Sequence, residues 1–456
     1  MISSDVAAYR CDDASCTADG LNYLMTPSGR NLLRAVELSG AHGGRLSVSE
    51  IAALRRNYPA PAVACAIAVS LSRNKAQVGK FASGPIVAHD LWAVPEALEQ
   101  ATSWRVAMYK ANKIAALACP RLILDICCGL GGDMLALANI APTLGIDISP
   151  VRAWMARKNA DQFKAKFPVL VIQADMAQLP MLPSNDVFFH LDPSRRSGGK
   201  RRADFSAMHP GPDIILPFMR HFPDGAIKLS PAVDFASLPP GHLELISEDA
   251  VVVQALLWTG KVGSMLGLRQ RTATVIGGSK IWSFCEFASD VATQRQIALA
   301  PEHWLYEVDG AVTRAGLAAP LASQLNLKLL SPDGGYLTGE HYLDHPALTA
   351  FEVYCAMPYS ESQIVRWIKN TAATSDLTLP ALTIKTRGGL GLDTDNIQQR
   401  LSKYGGHGWT VLIYRGGSGK IGVIARRRAS PPSDDHDPAA VVELGVMRKQ
   451  RDENTR

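Results

Sequence analysis

The sequence contains no apolar run approaching the roughly 20 residues that would span a bilayer. Residues 1–18 are polar and acidic without an apolar stretch, so they do not read as a secretory signal. Only 8 cysteines are scattered over 456 residues, which fits a reducing compartment, and a cytoplasmic protein is expected. Cys11 and Cys16 have no second Cys/His pair to complete a zinc site, so no metal is expected either. No internal repeat is present. The net charge of +5 is too mild to point to nucleic acid by itself.

What the sequence does have is 47% apolar and 20% charged residues, the composition of an ordinary globular chain long enough for two or three domains. Residues 1–27 are expected to be a flexible N-terminus and 28–118 a helical domain. Within the latter, Ser47 and Glu50 have capping-box spacing, Val63, Ile67 and Leu71 recur on one helical face, and Glu96 to Lys113 reads as one helix. Gln100 and Thr102 lie just upstream of a glycine turn, without an assigned role.

From residue 119 the pattern becomes strands alternating with helices. Seven strands are expected, at 122–126, 143–146, 169–172, 187–191, 226–229, 251–257 and 272–276. That alternation predicts an α/β domain over 119–280, with a mostly parallel sheet and an antiparallel finish at one edge. Residues 281–380 read as a connecting region, 381–428 as a small α/β unit closed by a Gly416–Gly419 hairpin turn, and 429–456 as a disordered tail.

The organising stretch is 122–133, Leu-Ile-Leu-Asp-Ile-Cys-Cys-Gly-Leu-Gly-Gly-Asp, a strand running into a glycine turn before a helix. A dinucleotide loop needs G-x-G-x-x-G, and Met134 stands where its third glycine would be. Asp133, at the helix start, would set its carboxylate against an incoming phosphate. No Gly-Lys-Ser/Thr follows, which excludes a Walker loop. Three acids do close successive strands: Asp125, Asp147 and Asp175. A carboxylate after the second strand suits a ribose diol, and one after the third could accept from an adenine amino group.

With these motifs, residues 121–280 resemble the class I S-adenosylmethionine (SAM)-dependent methyltransferases, whose sheet is Rossmann-like. The resemblance implies that Gly129 and Gly131 allow close approach of the methionine moiety of SAM, that Asp147 holds the ribose and that Asp175 with Met176 borders the adenine. Asp125, Cys127 and Ile148 are expected among the cofactor-binding residues as well.

The fourth strand ends in Asp192-Pro193-Ser194-Arg195. Many nucleic-acid nitrogen methyltransferases carry an Asp/Asn-Pro-Pro-aromatic motif here, which Asp192 and Pro193 begin and Ser194-Arg195 does not complete. Asp-Pro-x-Arg is also similar to the motif of uracil-C5 RNA methyltransferases. That route needs a cysteine nucleophile, and the fifth strand ends Lys228-Leu-Ser-Pro231 without one. Direct in-line transfer remains, with Asp192 and Pro193 as the catalytic pair. The following Arg195, Arg196, Lys200, Arg201 and Arg202 put five cations in eight residues, suited to the phosphates of RNA.

Residues 382–428 are similar to the THUMP-like domain of a bacterial methyltransferase family, which implies an RNA partner, with Lys385 and Arg387 on a basic face. The resulting expectation is a SAM-dependent methyltransferase acting on tRNA or rRNA, at a base nitrogen. A protein or small-molecule methyltransferase and a catalytically silent RNA-binding protein are the alternatives.

Overall fold

The computed structural model describes residues 16–40, 46–77, 84, 86–179, 183–194, 196–197, 200–201, 204–268, 270–278, 280–285, 296–372, 382–387, 389–404, 408–417 and 419–428. For 40, 196–197, 200–201 and 372 it describes the backbone alone. The expected tail at 429–456 and Cys11 lie outside these residues. The chain divides into two compact units, residues 1–242 with 256–268, and residues 243–255 with 269–456.

The helices of the first unit begin earlier than expected. Thr17 caps the helix Ala18–Leu24, and Leu21 and Leu24 on it are fully buried, so residues 16–27 do not belong to a flexible terminus. The expected capping box is present, with Ser47 N–H donating to Glu50 Oε2 at 2.7 Å. These helices do not form a domain of their own. Val63, Cys65 and Trp92 share one hydrophobic core with Leu130, Met134, Trp154 and Val171. The physical reason is the helix Ala60–Ala76, whose side chains are buried along most of its length and so need apolar neighbours on more than one side.

The expected helix from Glu96 to Lys113 is two helices, Pro95–Gln100 and Trp104–Leu117. Ser103 breaks the run by capping the second, its hydroxyl accepting from Val106 N–H at 3.3 Å. That break leaves Thr102 outside both helices and buried.

Nine strands, not seven, form the sheet that carries the glycine turn. They are β1 (Leu122–Ile126), β2 (Thr143–Asp147), β3 (Val169–Gln173), β4 (Val187–Leu191), β5 (Gly225–Leu229), β6 (His242–Glu248), β7 (Val251–Thr259), β8 (Arg271–Gly277) and β9 (Lys280–Cys285). Their order is β9-β8-β6-β7-β5-β4-β1-β2-β3. The pairs β1–β2, β2–β3, β1–β4 and β4–β5 are parallel, and β8–β9 is antiparallel. The strands absent from the expected set are β6 and β9. β6 contains two glutamates, one of which, Glu244, is fully buried and accepts from Thr274 Oγ1, so its run does not look apolar. The strand order reverses between β1 and β4, and the crevice outside the carboxyl ends of strands at such a point is where open α/β sheets bind ligands.

The second unit contains a seven-stranded sheet of β10 (Trp304–Val308), β11 (Lys328–Leu329), β12 (Tyr336–Gly339), β13 (Leu348–Pro358), β14 (Thr383–Thr386), β15 (Trp409–Gly416) and β16 (Gly419–Arg427), in the order β11-β12-β10-β13-β16-β15-β14. Residues 281–380 are therefore not a connector, because they supply four of these strands. Alternate residues of β15 face two cores: Val411 and Ile413 pack with Ile364 and Ile397, while Leu412 and Tyr414 pack with Leu305 and Phe351.

Candidate active site

The glycine turn folds as its residues require. Cys127, Gly129 and Gly131 all have positive φ (59°, 58° and 92°), and Gly131 is the N-cap of the helix Gly132–Leu137. A Cβ placed on Gly129 would meet nothing within 4 Å, so the backbone there faces open space. Asn159 holds the turn from behind. It is fully buried, and its amide donates to Leu130 O and to Trp92 O at 2.9 Å each. Burial pushes the Cys127 and Cys128 thiols up, with nearby carboxylates adding to the effect, which disfavours the thiolate form of both.

Asp147, at the end of β2, accepts from Gly129 N–H and from Ser149 N–H, both at 2.9 Å. Burial raises its carboxyl above the usual range, and those two hydrogen bonds oppose the shift. Ile148 beside it is exposed. Asp175 caps a short turn by accepting from Ala177 N–H at 2.9 Å, and Met176 in that turn is buried. Asp125 thus lies near the end of β1, Asp147 closes β2 and Asp175 follows β3, three adjacent strands.

Asp125 is placed differently from a surface ligand residue. It pairs across parallel strands with His190 of β4, and its Oδ1 lies 2.7 Å from His190 Nδ1. Both side chains are buried. Side chains two apart on a strand share a face, so His190 and the next-but-one residue, Asp192, project to the same side. Ile227 of β5 pairs with Leu191, which brings Lys228 level with Asp192 on that side too. Four polar groups thus converge on one sheet face at the ends of β1, β4 and β5.

Lys110, from the helix Trp104–Leu117, completes the cluster. Its Nζ lies 3.0 Å from His190 Nε2 and 2.6 Å from Asp133 Oδ1. His190 thus bridges the two elements, Nε2 facing Lys110 and Nδ1 facing Asp125. Asp133 Oδ2 accepts from Thr102 Oγ1 at 2.7 Å, and Thr102 Oγ1 accepts from Lys228 Nζ at 3.0 Å. Lys228 Nζ also donates to Asp192 Oδ2 at 2.6 Å and to Gln100 O at 3.5 Å. A continuous chain of polar contacts therefore runs Asp125–His190–Lys110–Asp133–Thr102–Lys228–Asp192, its Lys110–Asp133 link an ion pair and the others hydrogen bonds.

Burial would raise Asp133, but Lys110, His190 and Lys228 outweigh it and hold the carboxyl well below the usual range. Burial, with the like charge of Lys228, pulls Lys110 down against the attraction of Asp133. Burial raises Asp125, His190 opposing it, and its Oδ2 has no hydrogen-bond partner among the described residues. Two lysines, Lys110 and Lys228, thus face three aspartates, Asp125, Asp133 and Asp192, around the His190 ring.

This arrangement corrects one expectation. Asp133 does not face an incoming ligand from the helix start; it turns inward to Lys110 and Thr102, because two buried cations need carboxylate partners. Lys110, Thr102, His190 and Lys228 were not among the expected site residues. The available signal was a lone basic residue inside an apolar strand, as in Val187-Phe-Phe-His-Leu and Ala226-Ile-Lys-Leu.

The basic stretch is only partly described. Arg195 and Arg202 lie outside the described residues, and Arg196, Lys200 and Arg201 are described by backbone alone, in a hairpin pairing Arg196 with Arg201. Pro193 is buried and follows Asp192, just beyond the end of β4 at Leu191. In the second unit, Lys385 is ion-paired with Glu307, and Arg387 lies 3.4 Å from the same carboxylate and donates to Val308 O at 3.3 Å. Both cations are thus partly neutralised within their own unit. Among the described residues, no group of three or more His, Cys, Asp or Glu could hold a metal ion, and no helix is long and apolar enough to cross a membrane.

Comparison with known proteins fits this geometry. A methyltransferase domain model matches residues 123–192. Two uncharacterised S-adenosylmethionine-dependent methyltransferases of Mycobacterium tuberculosis are each 31% identical over 334 residues, spanning 72% of this chain and 85% of theirs. The crystal structure of a protein assigned as a methyltransferase from Porphyromonas gingivalis W83 has a TM-score of 0.64 at 17% identity, covering 88% of this chain and 99% of that one, a likeness of fold.

Proposed function

Because the chain belongs to the family of S-adenosylmethionine-dependent methyltransferases, we propose that it methylates a base nitrogen of RNA by direct in-line transfer, with Asp192 orienting the acceptor. The cofactor is SAM, and the residues at the glycine turn fit it. The open backbone at Gly129 lets a ligand approach closely, and the Asp147 carboxylate at the end of β2 can accept from ribose hydroxyls. Bound there, SAM supplies an electrophilic methyl group.

The observation that carries the acceptor assignment is Asp192 itself. It follows β4 at the point where the strand order reverses, and its backbone N–H donates to Ile126 O at 3.1 Å, which ties it to the strand entering the glycine turn. Its side chain is 26% exposed, so it can meet a substrate, while Lys228 behind it is buried. Pro193, which cannot donate to a ladder, limits the strand there. A carboxylate fixed in this way holds an acceptor in line with the methyl group at about 3 Å, which is where orientation contributes most to rate.

RNA is supported by the cations from Arg195 to Arg202, which follow Asp192 directly in sequence, and by the similarity of residues 382–428 to THUMP-like domains. With Lys385 and Arg387 engaged by Glu307, the larger share of phosphate contact falls to the 195–202 stretch. Charge reversal at Arg201 and Arg202 is expected to weaken RNA binding and flatten its salt dependence by about one to two units of slope, measured by filter binding across a salt series. An unchanged slope contradicts the assignment. Incubation with isotopically labelled SAM and total cellular RNA, followed by nucleoside mass spectrometry, tests the substrate class: a labelled methylated nucleoside is expected, and label in protein or small molecules instead overturns RNA as the acceptor.

A further inference from the structure

We propose that Lys228 is the positioning residue for Asp192, and that the pair restricts the acceptor to a nitrogen that carries hydrogen, an amino group. This deepens the methyltransferase reading and rests on Asp192 standing at the acceptor.

Lys228 occupies the fourth position of an otherwise apolar strand and is buried. A buried ammonium must find acceptors for its protons, and this one has three: Asp192 Oδ2 at 2.6 Å, Thr102 Oγ1 at 3.0 Å and Gln100 O at 3.5 Å. Thr102 is in turn fixed by donating to Asp133, which Lys110 holds from the other side. The ammonium has no freedom to swing, so neither has the carboxylate it holds. Asp192 is the only member of this chain with a sizeable exposed fraction, so the buried members act on the substrate through it.

The ion pair also sets what Asp192 can do. A carboxylate bound to an ammonium only accepts hydrogen bonds, so the substrate atom that meets it must donate. A ring nitrogen with a bare lone pair or a carbonyl oxygen would instead face a like-charged oxygen at van der Waals distance. An amino group satisfies both demands: one N–H donates to Asp192, and the lone pair points to the methyl carbon. The nitrogen lone pair forms the new N–C bond, the C–S bond breaks with its electrons returning to sulfur, and the surplus proton on nitrogen passes to water.

The test uses full-length wild type, Lys228→Met, Lys228→Arg and Thr102→Val. Each is incubated with tritiated SAM and a cell extract separated into RNA, protein and small-molecule pools, and SAM affinity is measured in parallel by calorimetry. Lys228→Met is expected to lower kcat/KM by about 100-fold, the effect of a misplacement near 1 Å, with SAM affinity unchanged. Lys228→Arg, which restores a cation, is expected to recover part of that loss, and Thr102→Val, which alters no charge and keeps the side-chain volume, to fall between wild type and Lys228→Met. Mass spectrometry of the labelled product should place the methyl on an amino nitrogen.

Label confined to the protein or small-molecule pool overturns the RNA reading alone, and the Lys228 series is then read on that pool. Wild-type kcat/KM in Lys228→Met overturns the positioning role. So does an equal fall of turnover and SAM affinity in all three variants, which is the mark of a merely structural residue. A methyl group on any ring nitrogen, on oxygen or on carbon overturns the acceptor class, and absence of label in every pool overturns both parts.

Discussion

Asp192→Ala is expected to lower turnover by about 10²–10³-fold, the loss typical of a single preorganised group that meets the reacting atom, while SAM binds as in wild type. The two halves of that result come from different parts of the site. The residues proposed to hold the cofactor, Gly129, Gly131 and Asp147, lie on the turn after β1 and at the end of β2, and the side chain of Asp192 is held instead by Lys228. Lys228 loses one acceptor in the variant but keeps Thr102 Oγ1 and Gln100 O, and water reaches the space of a side chain that was 26% exposed. The variant therefore stays folded, as circular dichroism should confirm. Single-turnover methyl transfer with calorimetry on the same preparation separates the two effects. Wild-type turnover, or loss of SAM binding in parallel with turnover, contradicts the assignment.

The second large effect is on stability. Lys110→Met is expected to cost about 3–5 kcal/mol in chemical denaturation, because it strands the buried Asp133 carboxylate without its closest cation. The double variant Lys110→Met with Asp133→Leu should lose much less, since apolar replacement of a whole buried pair is often neutral. If the single and double variants lose equally, the pair is not the source. The pH dependence follows from Asp133, whose carboxyl is held below its ordinary value chiefly by Lys110 once the cost of burial is overcome. A depressed carboxyl contributes stability that is fully present above the unfolded value near 4 and is lost as pH falls through the folded one. Wild type should thus lose stability below about pH 4 more steeply than Lys110→Met does. A buried ion chain of this kind is weak evidence of selection for stability.

Much of this was legible in the residues alone, and the parts that were not share a cause. Short apolar runs bounded by turns marked β1 to β5, and the Gly129–Gly131 turn with Asp147 after β2 pointed to the cofactor. Asp192-Pro193 marked the end of the fourth strand, where the acceptor is proposed to lie. The break at Ser103 was hidden because Glu96 to Lys113 has continuous helical periodicity, and only the cap from Ser103 to Val106 ends one helix and begins the next. β6 was hidden because Glu244 reads as a surface residue until Thr274 is seen to satisfy it. Lys110, His190 and Lys228 were missed for the same reason. Patterns treat a charge as exposed, and a charge becomes buriable only when partners from distant segments arrive, as Asp133 does for Lys110 and Asp192 for Lys228. The merging of residues 304–358 with 382–428 into one sheet is likewise a matter of strand pairing between β13 and β16, which no local pattern encodes.

The most direct measurement of the central claim is calorimetric titration of SAM into wild type and Asp147→Ala. One-to-one binding to wild type is predicted, weakened about 10–100-fold in Asp147→Ala through loss of hydrogen bonds to a charged acceptor. Absence of binding to wild type, or equal affinity in the variant, would contradict the placement of the cofactor over the glycine turn between β1 and β2.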